Sequence, residues 1–231
     1  MRTLLAIGAL ATTLTACGGS SSGGSADQVS STPAPSSAAP AANASGCTTP
    51  SGAKPSKQQF SSEPKVTISR TTYKANIVTN CGTIVVDLDG KNAPHTVNSF
   101  AFLAGKHYFD NSPCHRLTTQ GIYVLQCGDP TGTGTGGPGY TIPDENLKGA
   151  KYPAGTLAMA NTGQPHSGGS QFFFCYADTP LPPQYTPFGT VVQGLDVLKK
   201  IAAAGSDESN GPGDGAPKQP VVIESFTVTK G

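Results

Sequence analysis

The chain has 231 residues with a formal net charge of +1, which leaves no basic footprint for nucleic acid. Charged residues make up 13% against 29 glycines and 20 prolines, and this favours a loop-rich β protein over a helical bundle. One globular domain with an appendage fits the length.

The chain opens on a targeting pattern. Arg2 is a minimal positive start, and the apolar, small-residue run to Ala16 is too short to span a bilayer. Leu14-Thr15-Ala16-Cys17 resembles a lipobox. That resemblance implies a signal peptide over residues 1–16, cleavage before Cys17 and diacylglycerol on its thiol. Acyl chains of this kind, palmitate among them, anchor stably when two or more are present. Residues 17–64 are rich in Ser, Ala, Pro and Gly, so this stretch is expected to be a disordered tether, with the folded domain over 65–231.

Within the domain, Val66–Ser69 alternates like a short strand. Lys74–Thr79 and Thr83–Leu88 flank Asn80-Cys81-Gly82 as a hairpin. Ala93-Pro94 opens a helix carrying Val97, Phe100, Ala101 and Ala104 at helical spacing, and Gly105 is its stop. Cys114–Leu117 and Tyr123–Cys127 read as two strands about a turn. Alternation places Tyr123, Leu125 and Cys127 on one face and Val124 and Gln126 on the other. Arg116 is a long cation in an uncharged run: either an exposed side chain on a solvated face or an arginine presented on a rigid sheet for recognition.

The loop Thr131–Tyr140 holds Gly132, Gly134, Gly136 and Gly137, but Pro138-Gly139 and no helix follow. It therefore lacks the context of a phosphate cradle. Gly155–Met159, Gln171–Cys175, Phe188–Val192 and Val221–Val228 are further strands. Leu195, Leu198, Ile201 and Ala202 mark a second helix ending at Gly205. The three consecutive phenylalanines at 172–174 must serve both faces of their strand, and two of them are expected in the core. About eight strands and two helices result.

Conventional catalytic patterns are missing. There is no H-x-x-x-H, H-E-x-x-H or C-x-x-C pair, so neither a metal nor a redox motif is indicated. No G-x-S-x-G elbow exists. Asp144-Glu145 reads as solvated. The chemistry is expected to need no metal, cofactor or covalent intermediate. Beyond Cys17 five cysteines remain, an odd number, and export would allow some to pair.

At this point the motifs resemble the cyclophilin family of peptidyl-prolyl cis/trans isomerases. The residues that carry the resemblance are His115-Arg116, Gln126-x-Gly128-Asp129, Gly134-Thr-Gly-Gly137, Leu157-Ala-Met-Ala-Asn161, Gly169-Ser-Gln-Phe-Phe-Phe174 and Phe188-Gly189. With its lipobox and tether the chain looks most like the lipid-anchored cyclophilins of actinobacteria. The resemblance implies a mainly β fold, a closed eight-stranded antiparallel barrel capped by two α-helices, and a rotamase acting on X-Pro bonds. Arg116 matches the catalytic arginine, Gln126 the glutamine that orients it, and Asn161 and Ala160 the residues that hold the peptide backbone. Tyr123, Val124, Gln171 and Phe173 match the proline pocket, and Leu181 and Tyr185 its rim.

The implied partners are proline-containing segments of exported proteins, met outside the cytoplasm from a membrane anchor. The alternative is a non-catalytic barrel that captures proline segments of envelope proteins. The hairpin between Arg116 and Gln126 is longer than the family pattern and the rim before Phe188 is shorter. The missing tryptophan argues against strong cyclosporin binding. A Cys114–Cys127 bridge within the hairpin is one pairing these departures leave open.

Overall fold

The computed structural model describes residues 46–231. The signal segment 1–16, Cys17 and the tether to residue 45 lie outside the described residues.

A hairpin begins the sheet. Strands β1 (Thr72–Thr79) and β2 (Gly82–Asp89) pair in register from Thr72↔Asp89 to Thr79↔Gly82, and alternate residues Tyr73, Ala75 and Ile77 turn inward. At the turn the Asn80 side chain donates to the carbonyls of Thr48 (2.8 Å) and Pro220 (3.0 Å) and accepts from the Val222 amide (2.8 Å). One buried amide thus ties three distant segments.

Helix α1 (Pro94–Gly105) starts with proline at a first-turn position and has no capping side chain of its own. The cap comes from elsewhere. Glu145 accepts from the His95 amide (3.0 Å) and from the Thr96 amide and hydroxyl (2.9 Å each), placing negative charge where the helix leaves donors unpaired. The expected solvated Glu145 is corrected accordingly. The buried face of α1 sets Phe100 among Phe188 (4.6 Å), Phe109 (5.2 Å) and Phe172 (5.5 Å).

The remaining strands are β3 (Ser112–Pro113), β4 (Arg116–Thr118), β5 (Val124–Cys127), β6 (Thr156–Met159), β7 (Phe172–Cys175), β8 (Pro187–Gln193), β9 (Asp214–Gly215) and β10 (Val222–Lys230), with α2 (Leu195–Ala203) after β8. Their order is β3-β10-β1-β2-β8-β6-β7-β5-β4-β9. This corrects the closed eight-strand ring to an open, curled ten-strand sheet with two helices. The reason lies in residues 112–118. They form not one strand but two, with the break at Cys114-His115: the Cys114 amide still bonds Val221 (2.9 Å) on the β10 side, while the His115 amide bonds Gln126 (3.0 Å) on the β5 side. The chain steps from one sheet end to the other at that point, so no ladder closes the ring.

Val66–Ser69 is not a strand. Its amides are taken by side chains, Thr67 by Asn98 (3.0 Å) and Ser69 by Tyr73 (2.9 Å), which leaves no ladder to form. Of the three phenylalanines, Phe172 and Phe174 enter the main core and Phe173 joins a second cluster on the opposite face with Val124, Tyr152, Ala158 and Cys175.

Residues 46–64 have no helix or strand, yet they pack on the domain, ahead of the expected boundary at 65. Cys47 is fully buried and bridged to Cys81 in the β1–β2 turn, and Phe60 sits edge-on to Phe102 at 5.0 Å. Composition hid two strong anchors, a cysteine and an aromatic. The double variant Cys47→Ser/Cys81→Ser is expected to lose about 3–4 kcal/mol of stability, because the bridge closes a loop with a sequence separation of 34. Urea unfolding of the variant beside the parent measures this.

Candidate active site

The second cluster floors a cavity of about 160 Å³ on the outer face of the sheet. Register explains its composition. Arg116 on β4 pairs with Gln126 on β5, Gln126 pairs with Phe173 on β7, and Phe173 pairs with Ala158 on β6. Directly opposed residues share a face, so a cation, an amide, an aromatic ring and a small residue stand in one row across four strands. Val124 lies two residues before Gln126 on the same face. Ala160 and Asn161 follow β6 into the same cavity, and Leu181 and Tyr185 close its rim. Tyr185 meets Phe173 edge-on at 5.5 Å, and its backbone is bracketed by the Tyr152 hydroxyl, which accepts from its amide (3.0 Å) and donates to its carbonyl (2.8 Å). The Asn161 side chain donates to Gln184 (2.8 Å) and accepts from the Gly163 amide (3.0 Å), which fixes the turn at the cavity edge.

Two sequence-based expectations shift. Tyr123 is not in the cavity. It packs toward the main core, edge-on to Tyr176 at 6.0 Å, and Ile122 lines the cavity in its place. Val124 and Gln126 share a face of β5, and Ile122, in the bend just before the strand that the longer hairpin provides, falls on that side. Gln126 also proves to be the lesser partner of Arg116, at 3.5 Å from Nη1. The main one is Asp214 on β9, whose two carboxylate oxygens accept from Nε (2.8 Å) and Nη2 (2.6 Å). A bidentate grip of this kind fixes the guanidinium plane and leaves one proton on Nη1, beyond the one shared with Gln126, and one on Nη2 to offer. Asp214 had no local signal; it lies 98 residues away, directly after Gly211-Pro212-Gly213.

A one-way hydrogen-bond chain backs the arginine. Gln126 accepts from Arg116 and donates to Gln171 (2.9 Å). Gln171, expected in the proline pocket, lines the neighbouring larger cavity instead and donates to the carbonyls of Gly134 (3.0 Å) and Gly136 (2.9 Å). Those glycines in turn donate their amides to Asp129, at 2.8 and 3.0 Å. The Gly-rich loop is therefore wrapped around the protein's own buried carboxylate. A Cβ at Gly136 would fall within 2.0 Å of that carboxylate, so only glycine fits there.

Charge states follow from these contacts. The hydrogen bonds to Asp214 raise the Arg116 pKa further above its already high value, and the same bonds from Arg116 lower that of Asp214. Burial pushes Asp129 up, but bonds from Thr131, Gly136 and Gly134 outweigh it and the net shift is downward. Burial lowers the His115 pKa, and both its ring nitrogens are buried without a hydrogen-bond partner. Burial pushes the Cys175 thiol up to about 12, so it is no nucleophile near neutrality. Cys114 and Cys127 are bridged, which staples β5 to the chain just before Arg116. Among the described residues no three His, Cys, Asp or Glu side chains come together to share a metal ion.

The pH dependence has a definite sign. Between the lowered His115 pKa and about 6.5 the unfolded chain takes up a proton that the folded one refuses, so stability falls as pH drops through that window. Asp129 and Asp214 add a second loss below about 4, where the unfolded carboxylates protonate first. Tm measured against pH is expected to decline in these two phases, and His115→Gln to remove its share of the first.

The sequence matches the family described as cyclophilin type peptidyl-prolyl cis-trans isomerase/CLD over residues 74–228. A probable peptidyl-prolyl cis-trans isomerase B of Mycobacterium leprae is 48% identical over 70% of this chain, and one of Mycobacterium tuberculosis is 46% identical, likewise over 70% of this chain. The chain spans only 59% and 56% of those relatives' own lengths. Among solved structures, a cyclophilin type peptidyl-prolyl cis-trans isomerase of Cryptosporidium parvum is 30% identical with a TM-score of 0.62, covering 70% of this chain and 99% of its own. A second structure of that protein, in the presence of the dipeptide Ala-Pro, gives a TM-score of 0.61 at 30% identity, with 68% of this chain and 99% of its own covered.

Proposed function

Because the chain belongs to the cyclophilin type peptidyl-prolyl cis-trans isomerase family, we propose that it accelerates rotation about X-Pro bonds at the Arg116 cavity. One observation carries this reading: a guanidinium whose plane is fixed by Asp214, with Nη1 outside that grip, stands in register with an apolar floor at Phe173.

The barrier to peptide rotation is about 18–20 kcal/mol because twisting destroys resonance. In the twisted state the imide nitrogen regains its lone pair and becomes a better acceptor. An Arg116 proton bonds it, or the adjacent carbonyl, more strongly then than in the planar ground state. Only such a difference accelerates the step. Phe173, Val124, Ile122 and Leu181 grip the proline ring. Gln126 and Gln171 hold Arg116 in line, Ala160 and Asn161 hold the peptide backbone, and Tyr185 closes the rim. The guanidinium is already aligned before substrate arrives, so little reorganisation is needed.

The clients are segments of exported proteins. Leu14-Thr-Ala-Cys17 supports a lipid anchor at Cys17 and an extracytoplasmic site on the cell membrane. The Cys47–Cys81 and Cys114–Cys127 bridges are in keeping with an oxidising compartment. Incorporation of labelled palmitate, abolished by Cys17→Ser, tests the anchor. Exchange NMR of an Ala-Pro peptide tests the activity. Faster cis/trans exchange with the protein present supports the isomerase; binding with unchanged exchange would leave a proline-peptide capture module.

A further inference from the structure

Beside the proline cavity lies a larger one, about 600 Å³, which shares Gln126, Ala160 and Asn161 with it. Three of its sides come from the Gly-rich loop and the turns around residues 160 and 170. The fourth comes from outside the sheet, from the segment preceding β1, through Gln59.

That segment is built in, not draped. Cys47 ties its start to Cys81. Gln58 donates to the Lys106 carbonyl at the end of α1 (2.9 Å), and Phe60 packs on Phe102. Glu63 pairs with His95 at 2.7 Å, and Asn98 reaches the Pro64 carbonyl at 3.3 Å. The segment thus follows α1 from its C-terminal end to its first turn. Between these anchors it crosses to the Gly-rich loop: Gln59 Nε2 donates to Gly137 (2.8 Å) and the Phe60 amide to Pro138 (2.8 Å). Contact is close enough that a Cβ on Gly139 would lie 2.6 Å from the Phe60 carbonyl oxygen.

The geometry points to Gln59 as a specificity-determining residue, selecting peptides that carry an uncharged polar side chain near the proline. This rests on the peptide-binding reading of the adjacent cavity. The lining supplies hydroxyls and amides (Thr135, Thr141, Asn161, Ser167, Gln171) and no charged side chain. A charged substrate residue would lose hydration there without a counter-ion, and an apolar one would leave these groups unpaired. A side-chain amide or hydroxyl instead finds both donors and acceptors. With Nε2 held by Gly137, Gln59 keeps Oε1 as an acceptor on a fixed arm.

The test uses alanine-based peptides with one proline and one glutamine, the glutamine moved a place at a time along both sides of the proline. Each peptide is matched by one with leucine at that place. Affinity for the full chain is read by NMR titration, and exchange is measured on the same samples. At one place the parent is expected to prefer glutamine roughly threefold to tenfold, the yield of one or two hydrogen bonds. In Gln59→Ala that preference drops to within about twofold. The ratio is formed within each protein, so a general change in activity cancels. Unmoved amide signals of Glu63 and Thr67, the latter bonded to Asn98 of α1, show that the segment stays docked; if they move, Gln59→Glu is the second variant, and it too must alter the preference. A preference equal in parent and variants, or none at any place, overturns the assignment. Binding with the preference but without faster exchange would sink the isomerase reading and leave Gln59 its role; no binding at all would sink both.

Discussion

Replacing Arg116 by alanine is expected to lower kcat/KM for Ala-Pro exchange by roughly 10²–10³-fold, the usual cost of removing one aimed donor from a transition state. The site offers no substitute. Gln126 is turned with its oxygen toward Arg116 and its nitrogen toward Gln171, and no other cation lines the cavity. The fold should survive. Arg116 and Asp214 are 35% and 27% exposed, so the carboxylate left behind is partly hydrated and costs little. Lysine should restore only a small part of the rate, because an ammonium cannot take both Asp214 oxygens while presenting a further proton in a fixed plane. Exchange NMR on the three proteins, with thermal melts as the control for folding, decides this. A rate unchanged in the alanine variant would remove Arg116 from the mechanism.

Asp129→Ala is expected to be the most destabilising single change, at roughly 3–5 kcal/mol. Asp129 is fully buried, and its carboxylate accepts from the Thr131 amide and hydroxyl, the Thr133 hydroxyl and the amides of Gly134 and Gly136. Removing it leaves those donors facing a void. Asparagine should recover less than half, since its amide keeps one acceptor and sets an NH₂ against donors. The damage should reach the active site. Without Asp129 the Gly134 and Gly136 carbonyls are no longer pinned, Gln171 loses both acceptors, and the chain that aligns Arg116 loosens. Urea unfolding gives the stability loss. The exchange rate, measured well below the melting temperature, should drop as well, and a loss under 1 kcal/mol would contradict the cradle.

How much of this could be read in the residues depended on range. The β1–β2 hairpin, α1 and α2 were legible because periodicity and turn chemistry act over a few residues. Arg116, Gln126 and Phe173 were legible through motif resemblance, and the register then explained why they meet. Asp214 was not, because a partner 98 residues distant leaves no mark on the local pattern. Its two-residue strand β9 is too short to show alternation. Ile122 was hidden differently: it lies outside the strand expected over Tyr123–Cys127, and motif matching favoured Tyr123. The docked segment before β1 was obscured by its average composition, which outweighed Cys47 and Phe60. The ring expected from eight strands failed at one point, the step at Cys114-His115, which no propensity marks.

The sheet order has a consequence in time. Strand β10 lies between β3 and β1, and it pairs with β1 from Tyr73↔Lys230 onward, across some 150 residues of chain. A ribosome makes β1 early and β10 late, at roughly 5–20 residues per second. For several seconds β1 has its hairpin partner on one side and an empty edge on the other. The sheet cannot be completed, nor the Phe226 ring enter the core, until nearly the whole domain has been made. Pairings of such long range also fold slowly once available. The place of one strand in the sequence thus leaves the far edge of β1 unpaired until synthesis is almost complete.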